Sequence, residues 1–262
     1  MKPTSKYHCL GLFYTMVLIL ILLAPELGQT TQAQKINDNE LIVLKVRFHL
    51  PSGIMMESKG QKMTVWVSPE NIKRSLLPEI NRIWRPAGIQ FEIESIEEYE
   101  AIKPANSDKL LREIIDSHRD EDGHSDDTRI PKIKQFFDPA KKHPTAHNVF
   151  FFPYLGQTSQ GNARFKGNEL FVGVWTDKPT KAKKPPQKTL LIEPEPFKIG
   201  SLGRTLAHEL GHNLGLKHPP KEDMVPYRLM GGTTQGYLLT KEEIKTSRDE
   251  AKRHQTDYSK SK

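Results

Sequence analysis

The chain has 262 residues, of which 36% are hydrophobic and 27% charged, and its 39 Lys and Arg against 32 Asp and Glu give a formal net charge of +7. That length holds one sizeable domain or two small ones, and the composition fits a soluble globular protein on the polar side. The positive balance reads as a solvated lysine-rich surface. No basic stretch is interleaved with aromatics as a single-strand binder needs, so nucleic acid is not an expected partner.

Lys2 and Lys6 precede an apolar run over residues 9–24, which Pro25 breaks before a polar stretch at 29–34. Charged, apolar, then small is the order of a secretory signal, and Thr31-Gln32-Ala33 suits its cleavage. Residues 1–33 are therefore expected to be a signal peptide and 34–262 the secreted domain. The run is short for a membrane span, so no membrane contact is expected after cleavage; an uncleaved anchor is the alternative. Cys9 is the only cysteine, which leaves the cleaved chain without disulfides or thiolate metal ligands. Cleavage removes Lys2, Lys6 and Glu26, and a net +6 remains.

Residues 41–50, LIVLKVRFHL, read as a strand closed by Pro51-Ser52-Gly53. MTVWV at 63–67 reads as a short extended piece. Ser68-Pro69 is an N-cap with proline in the first turn, and Ile72, Leu76, Ile80 and Ile83 recur at helical spacing as far as Trp84. Pro78 inside that pattern predicts a kink or break. Pro86-Ala87-Gly88 ends the helix, and residues 89–96 alternate as a half-buried strand.

Residues 100–145 are polar, with short apolar faces at Leu110, Leu111, Ile114 and Ile115 and at Ile133, Phe136 and Phe137. Asp120, Asp122 and Gly123 fall at calcium-loop positions between them. His118 and Arg129 at the first and last ligand positions do not support a Ca2+ site. Residues 148–155 and 169–175 are buried-strand candidates flanking Gly161-Asn162-Ala163-Arg164-Phe165. Residues 177–196, rich in lysine and proline, predict an exposed loop. A helix from about Gly200 carries Leu202, Leu206 and Leu210. Thr240-x-x-Glu243 is a capping box opening a last helix to about Arg253, with 254–262 a flexible tail.

Residues 208–218 read HELGHNLGLKH. His208 and His212, four apart on a helix, present both imidazoles on one side, where two nitrogens can reach one metal. Glu209 stands one position round the helix, beside the open face. Gly215 can take a left-handed conformation and stop the helix, so that the chain turns back and His218 arrives as a third ligand. Three histidines leave the fourth zinc position to water, which is the arrangement of a catalytic rather than a closed site.

This stretch resembles the extended zinc signature of the metzincin metallopeptidases, HExxHxxGxxH, at every defined position. Met230, in Arg228-Leu229-Met230-Gly231-Gly232, resembles the methionine turn that this family places beneath the metal. More loosely, Asn81-x-Ile83-Trp84-x-x-Ala87-Gly88-Ile89-x-Phe91 is similar to the first helix and second strand of secreted members. The resemblance implies an α+β zincin-like domain: a twisted mixed sheet with an antiparallel edge strand, packed on two long helices, plus a C-terminal helix. It implies one catalytic Zn2+ on His208, His212 and His218, Glu209 as general base, and Met230 as a floor that binds no metal. It also implies a polypeptide substrate laid along the edge strand at Asn162 and Ala163. Gly232 stands where some members have a tyrosine, so no fifth ligand is expected. The expected activity is that of a secreted, monomeric zinc endopeptidase. A zinc amidase acting on cell-wall peptide and a non-catalytic zinc-binding module are the competing readings.

Overall fold

The computed structural model describes residues 41–116, 128–156, 161–164, 166–177, 185–192, 201–225, 227–231 and 236–261, all within one compact unit, Ile36–Lys262. The expected signal peptide, the acidic loop at 118–127 and Gly232 lie outside the described residues.

A six-stranded sheet runs in the order β4-β1-β5-β7-β6, with β8 also on β7. β1 (Ile42–Ser52) pairs in parallel with both β4 (Ile89–Glu100) and β5 (His147–Tyr154), and β5 pairs in parallel with β7 (Glu169–Thr176). β6 (Gly161–Ala163) and β8 (Gln187–Lys188) run antiparallel to β7. The antiparallel edge strand expected at Gly161 is therefore present. The core of the sheet is mostly parallel, however, so the architecture is mixed α/β rather than the expected α+β. β5 and β7 are buried along their whole length, as continuous apolar strands covered on both faces must be.

On one face, Phe137 meets Phe150 at 4.8 Å, Phe150 stacks on Phe171 at 4.9 Å, and Phe136 meets Phe152 at 5.8 Å. Phe136 and Phe137 follow α4 (Arg129–Lys134), the helix after α3 (Ser107–Asp116). Arg129, considered above as a calcium-loop position, is buried and donates to the Leu155 carbonyl. The other face of the sheet carries the remaining helices. Ser68 closes a capping box on α1 (Pro69–Asn71), which continues through a π-helical turn (Ile72–Leu76) into α2 (Leu77–Trp84). The helical run continues through Pro78, with its π-helical turn immediately before the proline. The π turn lets Leu77 bond back to the Ile72 carbonyl, and the wider ring just before Pro78 accommodates the residue that has no N–H to give.

Gly88, at φ +63°, turns the chain into β4, where the Asn81 side chain holds Phe91 by both its backbone N–H and its carbonyl, at 2.7 and 3.0 Å. β4 continues to Glu100, four residues beyond the sequence expectation, because β1 pairs with it as far as Ser52. Of the extended piece expected at 63–67, only Met63 lies in a strand, at the end of a hairpin, and residues 64–67 form a connection to the first helix. β2 (Met56–Ser58) and β3 (Gln61–Met63) meet through Lys59 and Gly60, both at positive φ.

α2 packs on α5 (Leu202–Asn213), where Trp84 Nε1 donates to the Ala207 carbonyl at 3.2 Å. The last helix, α6 (Lys241–Lys260), lies along β1. Its end corrects the expected flexible tail, because the helix runs seven residues past Arg253. Arg253 bonds Asp257, Tyr258 stacks on His143, and Ser261 bonds Thr145, so the segment is held on the body.

Candidate metal centre

α5 starts at Ser201, whose hydroxyl accepts from the Arg204 N–H. Leu202, Leu206 and Leu210 are wholly buried, and His212 is the one residue of the helix that is not buried. The helix stops in a Schellman motif. Gly215, at φ +79°, donates to the His212 carbonyl, and Leu216 donates to the Gly211 carbonyl. An L-residue would be strained there, so glycine sets the reversal that brings His218 back over the helix.

His208, His212 and His218 offer one ligand atom each, all within 4.8 Å of one another, and could together hold one metal ion. His208 is buried and the other two are half-buried, so the cluster keeps an open side. Two of the rings have their tautomers set by backbone carbonyls, which can only accept. His212 Nδ1 donates to Leu216 O at 2.8 Å, and His208 Nδ1 donates to Leu229 O at 2.7 Å. Each neutral ring then carries its lone pair on Nε2. His208 Nε2 lies 3.0 Å from His218 Nε2. Two such atoms repel unless a cation or proton is shared between them, and tetrahedral zinc at about 2.0–2.1 Å from each nitrogen suits a separation of this order. The donor set fits zinc. Among the described residues it is the one group of three or more such side chains with metal-ligand proximity.

The carbonyls that orient the rings come from two turns, one at each end of the segment that follows α5. Gly215 makes the turn that supplies Leu216. The turn holding Met230 supplies Leu229, whose own N–H is bound to Leu238 O at 2.7 Å. Met230 is fully buried, and its sulfur lies against α5 at Gly211. Glu209 is buried against the edge strand: a Cβ at Gly161 would stand 2.6 Å from Glu209 Cγ and closer still to its Oε1. Asn162 and Ala163 follow on that strand, half-exposed, in register with Phe171 and Leu170.

Asn213 escaped the sequence reading. It is wholly buried; its Nδ2 donates to Arg164 O at 2.8 Å and to Glu169 O at 3.1 Å, and its Oδ1 lies 3.2 Å from His147 Nδ1. Its place four residues after Glu209, and so on the same helix face, was the available signal.

No family model matches the chain, and no curated protein matches it. Among solved structures, mirolysin in complex with compound 9 is similar over 83% of this chain and 98% of that one, at 13% identity and a TM-score of 0.47. A structure of a chaperone-substrate complex is similar over 83% of this chain, at 12% identity and a TM-score of 0.41. This chain spans 35% of that second protein's length.

Proposed function

We propose that the chain is a secreted zinc-dependent endopeptidase of the metzincin type. The observation that carries this reading is the convergence of His208, His212 and His218, whose ligand atoms lie within 4.8 Å of one another, with buried Glu209 next in the helix to His208. When bound there, zinc supplies Lewis acidity, polarising a scissile carbonyl and acidifying a water. His208 and His212 present Nε2 lone pairs because Leu229 O and Leu216 O hold their Nδ1 protons. Glu209 is the general base that takes the proton of the attacking water and passes it to the departing amine. β6 offers the backbone edge for an extended peptide, through Asn162 and Ala163. Met230 shapes the floor of the cage and binds no metal.

Glu209→Gln separates this reading from a zinc-binding module. The variant is expected to keep one zinc per chain and lose casein cleavage by about 10²-fold or more. Undiminished cleavage would remove Glu209 from its role. Cleavage of cell-wall peptide with none of casein would replace the endopeptidase with the amidase.

A further inference from the structure

Glu209 and Asn213 are four residues apart on α5 and share one face of the helix. That face looks onto the β6–β7 hairpin at two points. Glu209 stands against Gly161, where β6 begins, and Asn213 grips Arg164 O just beyond its end together with Glu169 O at the start of β7. The assignment of the amide is fixed by chemistry, since both carbonyls can only accept, so the NH2 points at them. Its oxygen is left to accept from His147 Nδ1, on the buried strand β5. One side chain thus ties together the end of the helix, both strands of the hairpin and the centre of the sheet.

The gap that results is narrow. A methyl group at 161 would overlap the Glu209 side chain, so the hairpin and the carboxylate side chain are in close contact here. From this we infer that Asn213 is a positioning residue: it sets the separation between Glu209 and the edge strand β6, and Gly161 is the residue that this separation admits. The inference rests on the endopeptidase reading for its kinetic consequence alone; the clamp itself is testable without it.

The test uses the whole, zinc-loaded chain and a fluorogenic peptide of casein-like sequence. Asn213→Ala frees the hairpin, and amide exchange over residues 161–169 is expected to quicken about 10-fold while α5 keeps its protection. Zinc content stays at one per chain. KM stays within about 3-fold while kcat falls about 10- to 100-fold, the signature of a misplaced reacting group rather than lost binding. Unchanged exchange at 161–169 overturns the clamp. Unchanged kcat with faster exchange overturns the positioning role.

Gly161→Ala, on a half-exposed edge strand, closes the same gap from the other side and covers the case in which Asn213→Ala does not fold. It is expected to keep zinc and KM and to lose kcat by a similar factor. Full kcat in Gly161→Ala overturns the inference. An unsubstituted chain that cleaves nothing overturns the endopeptidase reading instead, and the exchange measurement still decides the clamp.

Discussion

Gly211 of α5 lies directly against Met230: a Cβ at position 211 would stand 2.7 Å from the methionine sulfur. α5 and the turn beneath it therefore meet with no room for a methyl group. Gly211→Ala forces one of them to move, although alanine is the better helix former. Overpacking of this kind costs about 1–3 kcal/mol, which outweighs the gain of up to about 1 kcal/mol from helix propensity. Urea unfolding should show a net loss. Gly211→Ala combined with Met230→Ala should lose less than the two separate losses together, because the new methyl enters the space the sulfur leaves. Strict additivity would mean that the two residues do not press on one another.

Metal removal is the second measurement. The three histidines form one site only in the folded chain, so a bound ion adds its binding free energy to stability. At 1,000 times its Kd an ion contributes about 4 kcal/mol, which for a domain of this size raises Tm by about 10 °C. Chelation should lower Tm by that order, zinc should restore it, and His218→Ala should abolish the response. A Tm indifferent to chelator in the unsubstituted chain would mean that the triad holds no ion.

His49 and His147 are buried imidazoles, and burial is the main reason that their pKa values are pushed down, to about 4 and about 3 respectively. Arg47 acts on His49 in the same direction, as His254 and Arg253 do on His147, while hydrogen bonds to Asn148 and Asn213 oppose the shifts. The unfolded chain takes up a proton on each near pH 6.5, whereas the folded chain keeps them neutral to well below pH 5. Stability is therefore fully present above pH 6.5 and falls as the pH drops towards 4, by about 1.4 kcal/mol per unit for each ring. The urea midpoint should be lower at pH 5 than at pH 7.5. His49→Gln should flatten that slope; an unaltered slope would show that His49 is not held neutral.

What could be read from the sequence was local. The N-cap at Ser68, the capping box at Thr240, the buried strands β5 and β7, and the helix end at Gly215 depend on residues within a few positions of one another. The triad was legible for the same reason, since the i, i+4 spacing and one glycine bring its members together. Asn213 was not, because its carbonyl partners lie 49 and 44 residues away in sequence. The length of β4 was hidden likewise: past Ile96 its side chains are mostly charged, and pairing with β1 keeps it extended. At the C-terminus, polar composition suggested fraying, but contacts with residues 143–145 hold the helix.

Glu243 joins two features that the sequence showed separately. As the third residue of α6 it closes the capping box, its Oε2 accepting from Thr240 N–H at 2.8 Å while Thr240 Oγ1 accepts from Glu243 N–H at 3.1 Å. Its Oε1 accepts from Arg228 Nε at 3.0 Å, two residues before Met230. The carboxylate is buried, so this pair is screened less than a surface ion pair. Thr240→Ala removes only the cap and is expected to cost about 1 kcal/mol. Glu243→Gln keeps the shape and an acceptor oxygen for the cap but removes the charge facing Arg228. The Arg228–Met230 turn carries Leu229 O, which orients His208, so Glu243→Gln should lower zinc affinity where Thr240→Ala does not. Competition with a chromogenic chelator reads the difference. Equal zinc affinities in the two variants would show that the last helix supports the fold without steadying the metal ligands.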